Sequence, residues 1–121
     1  MESKNQGKEI YWVGTSLHDL KDFPKVIKQK FGFHLYQIQQ GYLPNFIKPL
    51  KGSGLNGVIE LKENYIGNTY RSVLIAKLRN KIYVLHCFQK KSNQGLKTPL
   101  NEINIIKQRL KIAVNHANNQ K

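Results

Sequence analysis

Apolar positions recur along this chain at two different periods, and the switch between them divides it into parts. Glu9–Gly14 (EIYWVG) is a short β-branched and aromatic run that predicts a first strand. Ser16 and Asp19 then have the spacing of a capping box, which opens a helix. Pro24 interrupts or restarts it. Ile27, Phe31, Leu35 and Ile38 follow at spacings of four, four and three, so they share one face of a second helix, which Gly41 ends. Leu43–Gly57, rich in proline and glycine, reads as an irregular connection.

Beyond it the period falls to two. Val58–Lys62, Tyr70–Leu78 and Lys81–Phe88 predict three strands joined by short turns, hence an antiparallel meander. Strict alternation puts Tyr70, Ser72, Leu74, Ala76 and Leu78 on one face of the middle strand. Arg71, Val73, Ile75, Lys77 and Arg79 share the other, so its cations fall together. In the next strand, alternation sets Ile82, Val84, His86, Phe88 and Lys90 against Tyr83, Leu85, Cys87, Gln89 and Lys91. The helical period then returns. Thr98 is a suitable N-cap, Pro99 a suitable first residue and Glu102 a favourable first-turn acid, while Ile103, Ile106, Leu110 and Ala113 form an apolar stripe. Lys107, Arg109 and Lys111 lie largely off that stripe, and the polar segment 115–121 is expected to fray. The expected fold is α+β: a strand and two helices, an antiparallel meander and a C-terminal helix, in one domain over residues 1–121 with a core of about 9–114.

Charge narrows the function. Twenty Lys and Arg oppose seven Asp and Glu, a formal +13, so nucleic acid or an anionic membrane is the default partner. From Asn64 to Lys121 there are eleven cations and one acid, Glu102, so most of the positive surface comes from the second half. No apolar run is long enough for a membrane span and the N-terminus lacks a secretory core, which points to a cytoplasmic protein without a membrane partner. The single cysteine, Cys87, sits in an apolar strand, where a buried inert thiol is expected. His18, His34, His86 and His116 have no ligand spacing, and one cysteine does not complete a zinc set. Lys51–Gly54 reads better as a turn than as a phosphate loop.

The segments GVIEL, NTYRSVLIAKL, YVLHCFQKKS and KTPLNEINIIKQRL, in this order of elements, resemble the RelE/HigB toxin superfamily, specifically its phage-derived Gp49-like branch. The resemblance spans about Ile10–Ala113, and its most specific piece is the HxFxKK strand end followed by Thr-Pro. It implies a RelE-like fold and a type II toxin that cleaves messenger RNA on the ribosome. The implied reaction is attack of a ribose 2′-hydroxyl on the adjacent phosphate, with no metal or small-molecule cofactor. The implied protein partner is a helix-turn-helix antitoxin, whose acidic, partly apolar segment would cover the basic surface.

Residue by residue, Arg71 matches the strand arginine placed at the scissile phosphate, and Lys90 and Lys91 match the basic pair ending the last strand. Proton transfer stays open among His86, Glu60 and a lysine crowded by other cations. Lys62, Lys77, Arg79 and Lys97 are the supporting RNA-binding cations; Lys62 stands where relatives often carry arginine, keeping charge but losing the bidentate fork. The alternative is a non-catalytic basic module, or a degenerate toxin, that uses the same surface only to bind.

Overall fold

A computed structural model of the protein describes residues 7–91 and 97–119, except for the side chain of Lys91. It is an α+β fold: β1 (Glu9–Trp12), α1 (Ser16–Lys21), α2 (Lys25–Gln39), β2 (Lys48–Pro49), β3 (Val58–Tyr65), β4 (Asn68–Leu78), β5 (Lys81–Lys91) and α3 (Leu100–Asn118). The five strands form one sheet in the order β1-β5-β4-β3-β2. The meander β3-β4-β5 is antiparallel as expected, but β1 joins its edge parallel to β5, so the sheet is mixed. β2 lies in the segment expected to be irregular; proline is tolerated there because β2 is an edge strand and Pro49 need not donate to the ladder. Among the described residues no helix is long and apolar enough to cross a membrane.

Helices cover both faces of the sheet. α1, α2 and the turn between them lay Leu20, Phe23, Ile27, Phe31, Leu35 and Ile38 on Leu61, Tyr70, Leu74, Ile82, Val84 and Cys87. α3 lays Ile106, Ala113 and Ala117 on Val58, Val73, Ile75, Tyr83, Leu85 and Phe88. α2 ends as its sequence predicts: Gly41, at φ +94°, lets its own amide reach the Ile38 carbonyl at 3.0 Å and the Tyr42 amide reach that of Gln37 at 2.9 Å.

The other helix ends shift. α1 is capped by Thr15, whose hydroxyl donates to Asp19 Oδ2 at 2.8 Å, because the Ser16 hydroxyl is spent on the Val84 carbonyl, buried at the sheet. Pro99, rather than Thr98, caps α3; its carbonyl receives the Glu102 and Ile103 amides, each at 3.0 Å. α3 also runs to Asn118 instead of fraying from Asn115, since Ala117 is buried on the sheet and His116 Nδ1 meets the Tyr83 hydroxyl at 2.8 Å.

The expected strand alternation fails at two points, and both matter for the site. Val73 pairs with His86 while Leu74 pairs with Val84, so Leu85 is an extra residue in β5, a β-bulge. Leu85 and His86 therefore both face α3, and the alternation beyond them moves by one. Cys87 packs under α1 and α2, whereas Phe88 packs under α3, opposite to the simple period-two expectation. A second irregularity separates Ile75, paired with Tyr83, from Leu78, paired with Lys81. It brings Leu78 to the cluster under α3 instead of the face of Leu74.

Candidate active site

α3 covers one half of its sheet face. Around and past Phe88 that face of β3, β4 and β5 carries Lys62, Arg71 and Lys90. Register sets Lys62 of β3 opposite Arg71 of β4, and Arg71 opposite Phe88 of β5. Two residues along β5 from Phe88, on the face the bulge assigns, stands Lys90. Glu60, two residues from Lys62 on β3, completes the group.

Three of these four charges are buried: Glu60, Arg71 and Lys90 are 8%, 5% and 2% exposed, while Lys62 is exposed. Buried charge is tolerated only when paired or hydrogen-bonded. Arg71 Nη1 donates to Glu60 Oε2 in a close ion pair. Lys90 Nζ donates to the backbone carbonyl of Lys97, just before α3. Burial first, then the neighbouring Arg71 guanidinium and Lys62, push the Lys90 ammonium below the ordinary lysine range, and Glu60 opposes them in part.

Glu60 and Arg71 form one wall of an open cleft of about 410 Å³. Leu50 and Ile103 supply its apolar surface, Thr98 lines it, and exposed Lys51 and Lys97 stand at its rim. This combination suits a phosphodiester with an attached sugar and base: cations for the anion, apolar surface for the ring. A second concavity, about 300 Å³ around Asn64–Thr69, contains no charged side chain. Among the described residues no set of His, Cys, Asp and Glu is arranged to hold a metal.

The sequence-derived residues thus divide. Glu60, Lys62, Arg71, Lys90 and Lys97 come together. Lys77 and Arg79 do not fall beside Arg71: six residues of strand put Lys77 about 20 Å from it, and Arg79 lies in the β4–β5 turn. Lys91 ends β5, and its side chain lies outside the described residues.

His86 is 5% exposed and engaged through both ring nitrogens, Nε2 to Glu102 Oε1 at 2.6 Å and Nδ1 to Arg109 Nη1 at 3.3 Å. Arginine can only donate, so Nδ1 accepts and Nε2–H points to the carboxylate. The ring stacks on Phe88 with centroids 4.9 Å apart. This is the packed, hydrogen-bonded histidine that an apolar strand favours. The Cys87 thiol is buried as expected and its pKa is pushed up to about 12, chiefly by burial, which disfavours the reactive thiolate.

Reading the sequence missed Leu50 and Arg109, and set Lys51 aside as part of a turn. Leu50 and Lys51 reach the cleft because β2 folds their segment back onto β3, which periodicity does not reveal. Arg109 did carry a signal: it is seven residues from Glu102 and so on the same helix flank, facing His86.

Comparison with known proteins adds one match. The family model described as phage-derived protein Gp49-like (DUF891) matches residues 18–111, which include every residue of the cleft. No curated protein and no solved structure matches significantly.

Proposed function

The chain belongs to the phage-derived Gp49-like family, a RelE-like toxin family, and on that premise we propose that it is the toxin of a type II toxin–antitoxin pair, a ribosome-dependent endoribonuclease acting on messenger RNA. The observation that carries this reading is the burial of Glu60 and Arg71 at the wall of an open cleft, with the buried Lys90 behind them, its ammonium pushed down in part by Arg71. A surface that only attracts RNA gains nothing from placing two cations and a carboxylate out of water, whereas buried, convergent charges beside a lysine of lowered pKa suit acid–base chemistry.

The reaction follows from these groups. The scissile phosphate lies against Arg71, which offers a forked guanidinium to its non-bridging oxygens. The ribose 2′-hydroxyl attacks phosphorus, and its proton passes to the Glu60 carboxylate, which Arg71 holds at the cleft wall. The bond from phosphorus to the 5′ oxygen breaks. Lys90 exchanges the Lys97 carbonyl for that oxygen and gives it a proton, a transfer favoured because its ammonium is a stronger acid than an ordinary lysine's. The products are a 2′,3′-cyclic phosphate and a 5′-hydroxyl. Lys62, Lys51 and Lys97 add positive potential along the RNA path. A helix-turn-helix antitoxin with an acidic, partly apolar segment is the proposed neutralising partner.

Primer extension on a defined message, with and without 70S ribosomes, tests the reading. Wild type is expected to give discrete new ends that require ribosomes. Arg71→Ala should reduce them by ~100-fold or more, the scale of losing a transition-state donor, and Arg71→Lys should recover only part. Thermal denaturation must accompany the alanine variant, because Glu60 then keeps a buried charge without its ion-pair partner. A folded wild type that yields no ends under either condition would overturn the enzyme and leave a basic RNA-binding module.

A further inference from the structure

We infer that Arg109 is a positioning residue for the cleft: from the flank of α3 it fixes the bulge at Leu85, and the bulge places Lys90 on the same side of the sheet as Arg71. The inference rests on the proposed chemistry only for what the placement achieves; the placement itself is geometric.

The bulge decides which way the end of β5 faces. Val84 packs under α1 and α2, and uninterrupted alternation would send His86, Phe88 and Lys90 to that side as well. With one extra residue, Phe88 and Lys90 turn to the α3 side, opposite Arg71 and Thr69 in register. A single residue therefore separates a chain with Lys90 on the same side as Arg71 from one in which the two cations stand on opposite faces of the sheet.

An extra residue breaks the regular ladder, and the groups it releases need partners. Arg109 supplies one for the Leu85 carbonyl. Its Nη1 donates to the Leu85 carbonyl at 3.0 Å and reaches His86 Nδ1 at 3.3 Å, so one nitrogen addresses both residues that face α3. Nη2 donates to the Thr15 hydroxyl at 3.0 Å, which in turn donates to Asp19, anchoring the guanidinium to the start of α1. Gly14 makes room for it: a Cβ there would stand 2.8 Å from Arg109 Nε, and the backbone is at φ +58°. On the far side of His86, Glu102 holds Nε2 and Phe88 stacks on the ring. Phe88 is the cross-strand neighbour of Arg71. The connection from Arg109 to the cleft is thus continuous through Leu85, His86 and Phe88. It also assigns His86 a role consistent with having both nitrogens engaged: it braces the bulge and does not transfer protons.

Arg109→Met keeps the aliphatic stem and removes every donor; Arg109→Lys keeps the charge and loses the fork. Two readouts separate the inference from the reaction it serves. In side-chain NMR of 15N-lysine-labelled protein, with the Lys90 signal assigned by its absence in Lys90→Met, wild-type Lys90 should titrate below the other lysines, pushed there by burial and by Arg71 and Lys62 from β4 and β3 against the opposing Glu60. In Arg109→Met that titration should rise to join the rest, with Arg109→Lys between. In ribosome-dependent cleavage, Arg109→Met should lose at least about tenfold in kcat with little change in KM, as for misplaced rather than missing chemistry.

If Lys90 titrates unchanged in a folded Arg109→Met protein, the inference is overturned, whatever the cleavage result. Should that variant not fold, Arg109→Lys decides, and an unshifted Lys90 there is equally fatal. A wild type that does not cleave removes the catalytic reading and leaves the NMR comparison to decide the positioning one.

Discussion

The two faces of this sheet are built from the same strands and serve opposite ends. Under α1 and α2 the packing is largely apolar, with Phe31, Ile27 and Leu61 fully buried and no charged side chain in the cluster, the Ser72 hydroxyl and Cys87 thiol lying 3.5 Å apart. Under and beyond α3, the same β3, β4 and β5 bury Glu60, Arg71, His86 and Lys90. Desolvating four ionisable groups is costly even when they are paired. The apolar clusters on both faces supply the stability that the charges buried on one of them consume, and the family match extends over both faces. In a domain of this size the functional face depends on the margin left by the apolar one.

The largest effect expected from that contrast is on stability. Phe31 is 0% exposed in the middle of α2, with the Phe23 ring 6.0 Å away between centroids, in the cluster on the sheet face opposite α3. Phe31→Ala should cost ~3–5 kcal/mol by urea denaturation, the sum of lost transfer energy and a cavity. A loss below about 1 kcal/mol would mean that α2 does not carry the fold, and the division between faces would be wrong.

A smaller effect of opposite sign is expected at Lys90. Its pKa is lower folded than unfolded, so between the two values the unfolded chain binds more protons and stability rises with pH. Below the folded value Lys90 is charged in both states and its burial is a net penalty. Lys90→Met removes that penalty. The variant should be more stable than wild type at neutral pH by on the order of 1 kcal/mol, the advantage shrinking as pH climbs toward 10.5, the ordinary lysine value. Cleavage should fall in the same protein. Chemical denaturation at several pH values checks the first statement; a variant less stable at pH 7 than at pH 10, each relative to wild type, would reverse the sign and refute it.

How much of this was legible depends on whether the information was local. The apolar face of α2, its Gly41 stop and the three long strands follow from spacing within about fifteen residues, and the structure places Ile27, Phe31, Leu35 and Ile38 in the core as their spacing requires. The site was legible only as a set of residue types. Arg71 and Glu60 sit on one face because two antiparallel strands are in register, but Lys90 joins them through a bulge that leaves no mark on alternation in the sequence. VLHCF reads equally well with or without an extra residue. What fixes it is Arg109, a residue 24 positions from Leu85 and on a different element, so no local pattern carries the message. For the same reason the cap of α1 moved by one: Ser16 was already engaged by the Val84 carbonyl.

The smallest effect expected tests the site along the strand rather than across the sheet. Lys62 and Lys77 carry the same charge, both are exposed, and they lie on adjacent strands of the meander. Lys62 is in register with Arg71, whereas Lys77 is about 20 Å away along β4. At physiological salt the Debye length is ~8 Å, so a charge at Lys77 is largely screened from the cleft. Lys77→Ala should therefore change cleavage by less than about twofold at this salt, while Lys62→Ala lowers it by about fivefold or more. Lowering the ionic strength to 0.01 M lengthens the Debye length to ~30 Å, and a modest effect of Lys77→Ala should then emerge. If Lys77→Ala is already as damaging as Lys62→Ala at physiological salt, screening cannot explain it. RNA must then run the length of β4, and the functional surface would extend to the opposite end of the sheet.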